Sequence, residues 1–84
     1  MTPRDFASAL IAYCYATTGS VTSWGRTPLH NRRVGGVTHS KHQLWLGADV
    51  VYDTRPTLAT ARRRATALDL KLLREADHDH LQAL

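Results

Sequence analysis

The run Leu44 to Tyr52, LWLGADVVY, constrains this chain more than any other stretch. It is the most apolar segment of the sequence and reads as a central strand, yet Asp49 stands in its middle. An unpaired buried acid costs several kcal/mol, so this strand has to bring Asp49 a cation or strong donors. An arginine would serve. So would a metal ion, and His42 lies seven positions upstream. Imidazole and carboxylate both suit zinc, and a catalytic zinc needs three protein ligands with a fourth position left for water or substrate. The best source of a third ligand is the tail EADHDHLQ, Glu75 to Gln82, which holds two histidines and three acids in eight residues.

Size makes a metal more plausible still. The chain has 84 residues, enough for a single domain spanning 1–84. A chain this short buries only about 60–65% of the surface its unfolded form exposes, and small domains often add a disulfide or a metal as a staple. Cys14 is the only cysteine, which excludes an internal disulfide. It falls in an apolar helical pattern and reads as a small buried hydrophobe, not a catalytic thiol, because nothing local would activate it.

Charge narrows the partners. Eleven Lys and Arg against seven Asp and Glu leave +4, much of it from Arg32, Arg33 and the run Arg62–Arg64. Such a balance suits nucleic acid, but also any anionic polymer, including a cell-wall peptide with its carboxylates. The Arg62–Arg64 run reads chiefly as a solvated helix face. No segment is long and apolar enough to span a membrane. Arg4 and Asp5 ahead of FASALIAYCYA make a poor export signal, because an acid interrupts its start and Tyr and Cys interrupt its apolar run. The expectation is synthesis in the cytoplasm without a signal peptide.

The elements follow in order. Thr2-Pro3-Arg4-Asp5 opens a helix with a cap, a proline at the first position and an acid near the positive end of the dipole. Phe6, Leu10, Tyr13, Cys14 and Thr17 form its apolar stripe, and Gly19 is the expected stop. Ser20–Arg26 favours a strand. Leu29–Arg33 suits a helical turn, Val34-Gly35-Gly36-Val37 a turn, and Thr38–Lys41 a loop. Leu44–Tyr52 is the central strand. Asp53–Thr57 starts a second helix with Leu58, Ala61, Ala65, Leu68 and Leu72 at helical spacing, ending between Ala67 and Lys71. The alternation Leu70, Leu72, Arg74 also fits a strand. Glu75–Asp79 is a turn and His80–Leu84 a last strand. The sum is a small α+β domain: a mainly antiparallel sheet with two main helices.

The segment SKHQLWLGAD, after HNRRVGG and before the HDH tail, resembles the zinc-dependent D-Ala-D-Ala carboxypeptidase family, which groups with lysostaphin-type enzymes and the hedgehog signalling domain. Members carry S-x-H, an Asp seven after that His, and a C-terminal H-x-H or acid-x-x-H. Ser40-Lys41-His42, Asp49 and His78-Asp79-His80 fall on those points. Arg26 and Asn31 match an arginine before the Gly-Gly turn and an asparagine of the closest subgroup, and the resemblance spans Val21 to Gln82. It implies a hedgehog/DD-peptidase-like fold and one zinc ion held by His42, Asp49 and His80. It implies Asp77 as general base, His78 beside the metal steadying the oxyanion, and Arg26 supporting substrate. A second register, with Glu75 as base and His78 as ligand, has the same spacing. The sequence departs from the family's H-x-x-G-x-A-x-D at Trp45 and Gly47, which bears on the shape and activity of the site.

Among the other candidates, His30 and His39 read as loop residues, Trp24 as core and Ser40 as a hydrogen-bonding loop residue, not a nucleophile. The function expected is a monomeric zinc metallopeptidase acting on peptidoglycan stem peptides, as carboxypeptidase or endopeptidase. It would act on the cell wall after release or as part of a virion, in the manner of a phage endolysin. The alternatives are a non-catalytic zinc module of the same fold and, with less support, a basic nucleic-acid-binding domain.

Overall fold

The computed structural model describes residues 1–25, 33, 35 and 44–84. Helix α1 spans Pro3–Thr17. The Thr2 hydroxyl accepts from the Asp5 amide at 3.1 Å and the Asp5 carboxylate accepts from the Thr2 amide at 3.0 Å, so both donors at the helix start are satisfied. Phe6, Leu10, Tyr13 and Thr17 are the buried stripe, and Cys14 is half-buried beside it. The helix stops at Thr18, which takes the left-handed turn (φ 55°) expected of Gly19. Gly19 instead opens strand β1 (Gly19–Trp24). A Cβ there would come within 2.8 Å of the Val50 side chain, so close approach is what requires glycine.

Strand β2 spans Gly47–Tyr52, three residues shorter at its start than the apolar run suggests. Leu44 and Trp45 turn instead, because Trp45 has φ 60° and cannot continue a pleated strand. Helix α2, Leu58–Thr66, is capped by the Thr57 hydroxyl, which accepts from the Thr60 amide at 3.2 Å, and buries Ala61 and Ala65. Left-handed Asp69 (φ 59°) turns the chain into β3, Leu70–Arg74. Leu72 therefore belongs to the strand and not to the helical stripe. The Glu75 amide donates to the His78 carbonyl at 2.9 Å, closing the turn into β4, Asp79–Ala83.

The described strands form one antiparallel sheet in the order β1-β2-β4-β3. With two helices among the described residues, this is the α+β domain the patterning implies. Period-two alternation decides the faces. Ala48, Val50, Leu70, Leu72, Leu81 and Ala83 join the helix stripes in the core. Asp49, His80, Gln82, Lys71 and Leu73 lie on the face away from the helices. No helix among the described residues is long and apolar enough to cross a membrane.

Candidate metal centre

The register of β2 against β4 sets Asp49 directly opposite His80. The His80 Nδ1 and Asp49 Oδ1 atoms are 3.1 Å apart, with both side chains more than four-fifths buried (17% and 19% exposed). Acid and imidazole thus meet across adjacent strands from positions 31 apart in sequence. On its other side, His80 Nε2 lies 3.0 Å from Gln82 Oε1, one pleat further along β4.

These contacts leave a choice of tautomer. If Nδ1–H donates to Asp49, a neutral ring leaves Nε2 as an acceptor, and the Gln82 amide must turn its NH2 toward it. If Nδ1 is instead a metal-binding lone pair, Nε2–H donates to Gln82 Oε1 with the amide as placed. Ligating histidines usually fix their second nitrogen in this way. Bonds of about 2.0–2.1 Å at tetrahedral angles set neighbouring zinc donors about 3.3 Å apart. The 3.1 Å pair fits two donors on one ion as well as it fits a direct hydrogen bond.

His78 stands at the turn before β4, its Nε2 3.9 Å from Asp49 Oδ1. Its Nδ1 is 2.7 Å from Asp77 Oδ1. The hydrogen bond to His78 holds the Asp77 carboxyl below the usual carboxylate range, although Asp77 is 90% exposed. Both tail histidines therefore face Asp49, His80 more closely than His78. Glu75, the base of the second register, is exposed and contributes its backbone to the turn.

His42, the first ligand implied by the resemblance, and Arg26 lie outside the described residues, as do Asn31, His30, His39 and Ser40. Among the described residues no group of three or more His, Cys, Asp and Glu side chains is arranged to hold a metal. Asp49 and His80 bring one carboxylate and one imidazole together, donor types that zinc accepts.

Two residues that shape this region escape sequence reasoning. Gln82 is one: the signal available was its place two after His80, hence on the same strand face. Asp79 is the other. It lies between the two histidines and points the opposite way, fully buried, where Arg74 Nη2 (2.8 Å), Arg55 Nη2 (3.1 Å) and the Tyr52 hydroxyl (2.7 Å) all donate to it. Burial alone would raise its carboxyl, but these three donors outweigh it and hold Asp79 below the usual range. Arg55 also donates to the carbonyls of Glu75, Ala76 and His78, tying down the turn that carries Asp77 and His78.

Trp45 occupies the place where the resembling family has glycine, and its backbone is left-handed, the conformation glycine adopts without strain. Tryptophan there costs about 1–2 kcal/mol of backbone strain. Offsetting contacts are visible. The Trp45 ring meets Trp24 edge-on at 5.9 Å, and the Trp24 indole N–H donates to the Trp45 carbonyl at 3.3 Å. Gly25 (φ 63°) is the floor under this ring, and a Cβ there would overlap it. Gly25→Ala is therefore expected to lower stability by about 2–3 kcal/mol, through combined strain and overpacking. Thermal melts followed by Trp fluorescence would register it, and an unchanged melting temperature would refute the packing argument.

Gln82→Leu keeps the bulk and removes the polar partner of His80 Nε2. If His80 ligates zinc, this substitution is expected to weaken zinc affinity about 10–100-fold, measured by competition with a chromogenic chelator. Unaltered affinity would mean that Gln82 does not orient the ring.

No family model, curated protein or solved structure matches the chain.

Proposed function

We propose that this domain is a zinc-dependent metallopeptidase that hydrolyses an amide bond in peptidoglycan stem peptides, as a carboxypeptidase or endopeptidase. The observation that carries the reading is the Asp49–His80 pair, with Gln82 on the far nitrogen of His80. An acid and an imidazole so placed can ligate one ion, with His42 as the third ligand that the sequence resemblance implies. When bound, zinc would acidify a water and polarise the scissile carbonyl. The chain's own part is to move protons and hold substrate. Asp77 fixes His78 Nδ1, which turns Nε2 toward the Asp49 side. Together Asp77 and His78 would take the proton of the attacking water and pass it to the leaving amine. Arg26 would support the charged intermediate.

A second reading, a zinc-binding module without hydrolysis, is favoured by one observation. The Asp77 carboxylate is 90% exposed and contacts His78, not the Asp49–His80 pair, so the candidate base stands at the outside of the centre. One experiment addresses both. Purified protein is analysed for zinc, then incubated with stem peptides with and without chelator, and the products are read by mass spectrometry. Bound zinc with chelator-sensitive cleavage supports the peptidase. Bound zinc without cleavage supports the module. Absence of zinc binding refutes both.

A further inference from the structure

Arg62, the first residue of the basic run Arg62–Arg64, has no part in the proposed hydrolysis, and the structure gives it a setting. Among the described strands, β3 is one edge of the sheet. Beside it runs a groove of about 290 Å³ whose lining includes Arg62, Leu70, Lys71, Leu73 and Leu84. Arg62 reaches it from α2 and Lys71 from the sheet face away from the helices. Leu73 (41%) and Leu84 (75%) are exposed apolar side chains on the same rim. Among the described residues, Arg62, Arg63, Arg64 and Lys71 make no ion pair, whereas Arg55 and Arg74 are committed to Asp79.

We propose that the β3 edge is a docking strip for an extended acidic peptide, which adds to β3 as a further strand. An edge strand offers outward backbone donors and acceptors to an incoming strand, and flanking pockets select its side chains. Alternate side chains of the added strand point to opposite faces of the sheet. Those on the helix side meet Arg62, and those on the other side meet Lys71 and the apolar contact of Leu73. Cations on an edge also guard against self-pairing. Here the guard is selective: a second copy of this chain would add further Arg62 and Lys71 cations to the strip, while an acidic strand neutralises them. Charge complementarity thus favours an acidic peptide over another copy. The strip is distinct from the metal centre, although Leu73 and Lys71 pair with His80 and Gln82, one strand away. The inference goes beyond the proposed hydrolysis and stands without it.

The test uses the full chain and a dye-labelled peptide alternating Glu and Leu, with two controls: Lys in place of every Glu, and a proline-interrupted version that cannot form a strand. Fluorescence anisotropy is expected to show binding of the acidic peptide alone, weakening as salt rises. Arg62→Glu and Lys71→Glu are each expected to weaken it about tenfold or more, equivalent to about 1.4 kcal/mol. Both residues are exposed, and circular dichroism verifies that the variants fold; Arg62→Gln and Lys71→Gln are milder substitutes if they do not. Hydrogen exchange should show new amide protection within Leu70–Arg74. Equal binding of the Lys and Glu peptides, no binding, or binding without β3 protection would each overturn the proposal. So would a preference for a single-stranded RNA oligonucleotide over the peptide.

Discussion

Asp79→Ala is expected to remove a large share of the stability of this domain. The carboxylate is fully buried and receives Arg74, Arg55 and the Tyr52 hydroxyl, and Tyr52 in turn contacts the Tyr13 hydroxyl at 2.8 Å on α1. One side chain therefore joins β4, β3, the segment before α2, β2 and the first helix. Removing one partner of such a pair leaves cations without their counter-charge and costs about 3–5 kcal/mol. A domain of this length has about 4–13 kcal/mol in total, at 0.05–0.15 kcal/mol per residue. Urea melts followed by circular dichroism should show the midpoint collapse, and a loss below about 1 kcal/mol would contradict this account.

The same group shapes the acid limb. Its folded pKa is depressed, because the donors favour the charged form. The stabilisation it supplies is complete above the unfolded carboxylate value of about 3.9. It is lost as pH falls below that toward the lower folded value. The wild type should therefore lose stability on acidification below about pH 4, and Asp79→Asn, already weakened, should show a shallower slope there. The Tyr52 hydroxyl does not interfere: burial, with Tyr13 and Asp79 behind it, pushes it far above its ordinary range, so it remains a donor.

Asp79 also shows where sequence reasoning stops. In H-D-H the two histidines attract attention because imidazole is a metal ligand. The acid between them points to the other face, and its meaning rests on Arg55, 24 positions away. Pattern and composition were enough for the helices: the Thr2–Asp5 cap, the Phe6–Thr17 stripe and the Ala61/Ala65 face are all local. Asp49 was legible for a different reason, since an acid in an apolar strand demands a partner wherever it lies. That an imidazole from β4 meets it is decided by strand register, which apolar patterning leaves open. The early end of β2 was hidden because Leu44 and Trp45 are as apolar as a strand requires. What excludes them is the backbone of Trp45, a property with no signature in hydrophobicity.

His80→Ala and Asp77→Ala should separate metal binding from chemistry. His80 supplies the nitrogen facing Asp49, so its loss, like that of Asp49→Ala, should abolish bound zinc and hydrolysis together. Because ligands assembled by folding bind metal only in the folded state, these variants should also lose the stabilisation that zinc would give the wild type under the proposed function. Their melting temperature would then no longer respond to chelator. Asp77 is exposed and contacts His78, not the Asp49–His80 pair. Asp77→Ala should therefore retain zinc and a chelator-sensitive melting temperature while hydrolysis falls about 10²–10⁴-fold, the usual worth of a positioned acid–base group. Zinc content and melting temperature report on the centre whether or not the substrate has been correctly named. If His80→Ala binds zinc as the wild type does, the 3.1 Å approach to Asp49 is a hydrogen bond alone and the centre lies elsewhere. If zinc is lost on cue but Asp77→Ala cleaves at the full rate, the metal site stands and proton transfer passes to His78 without its carboxylate.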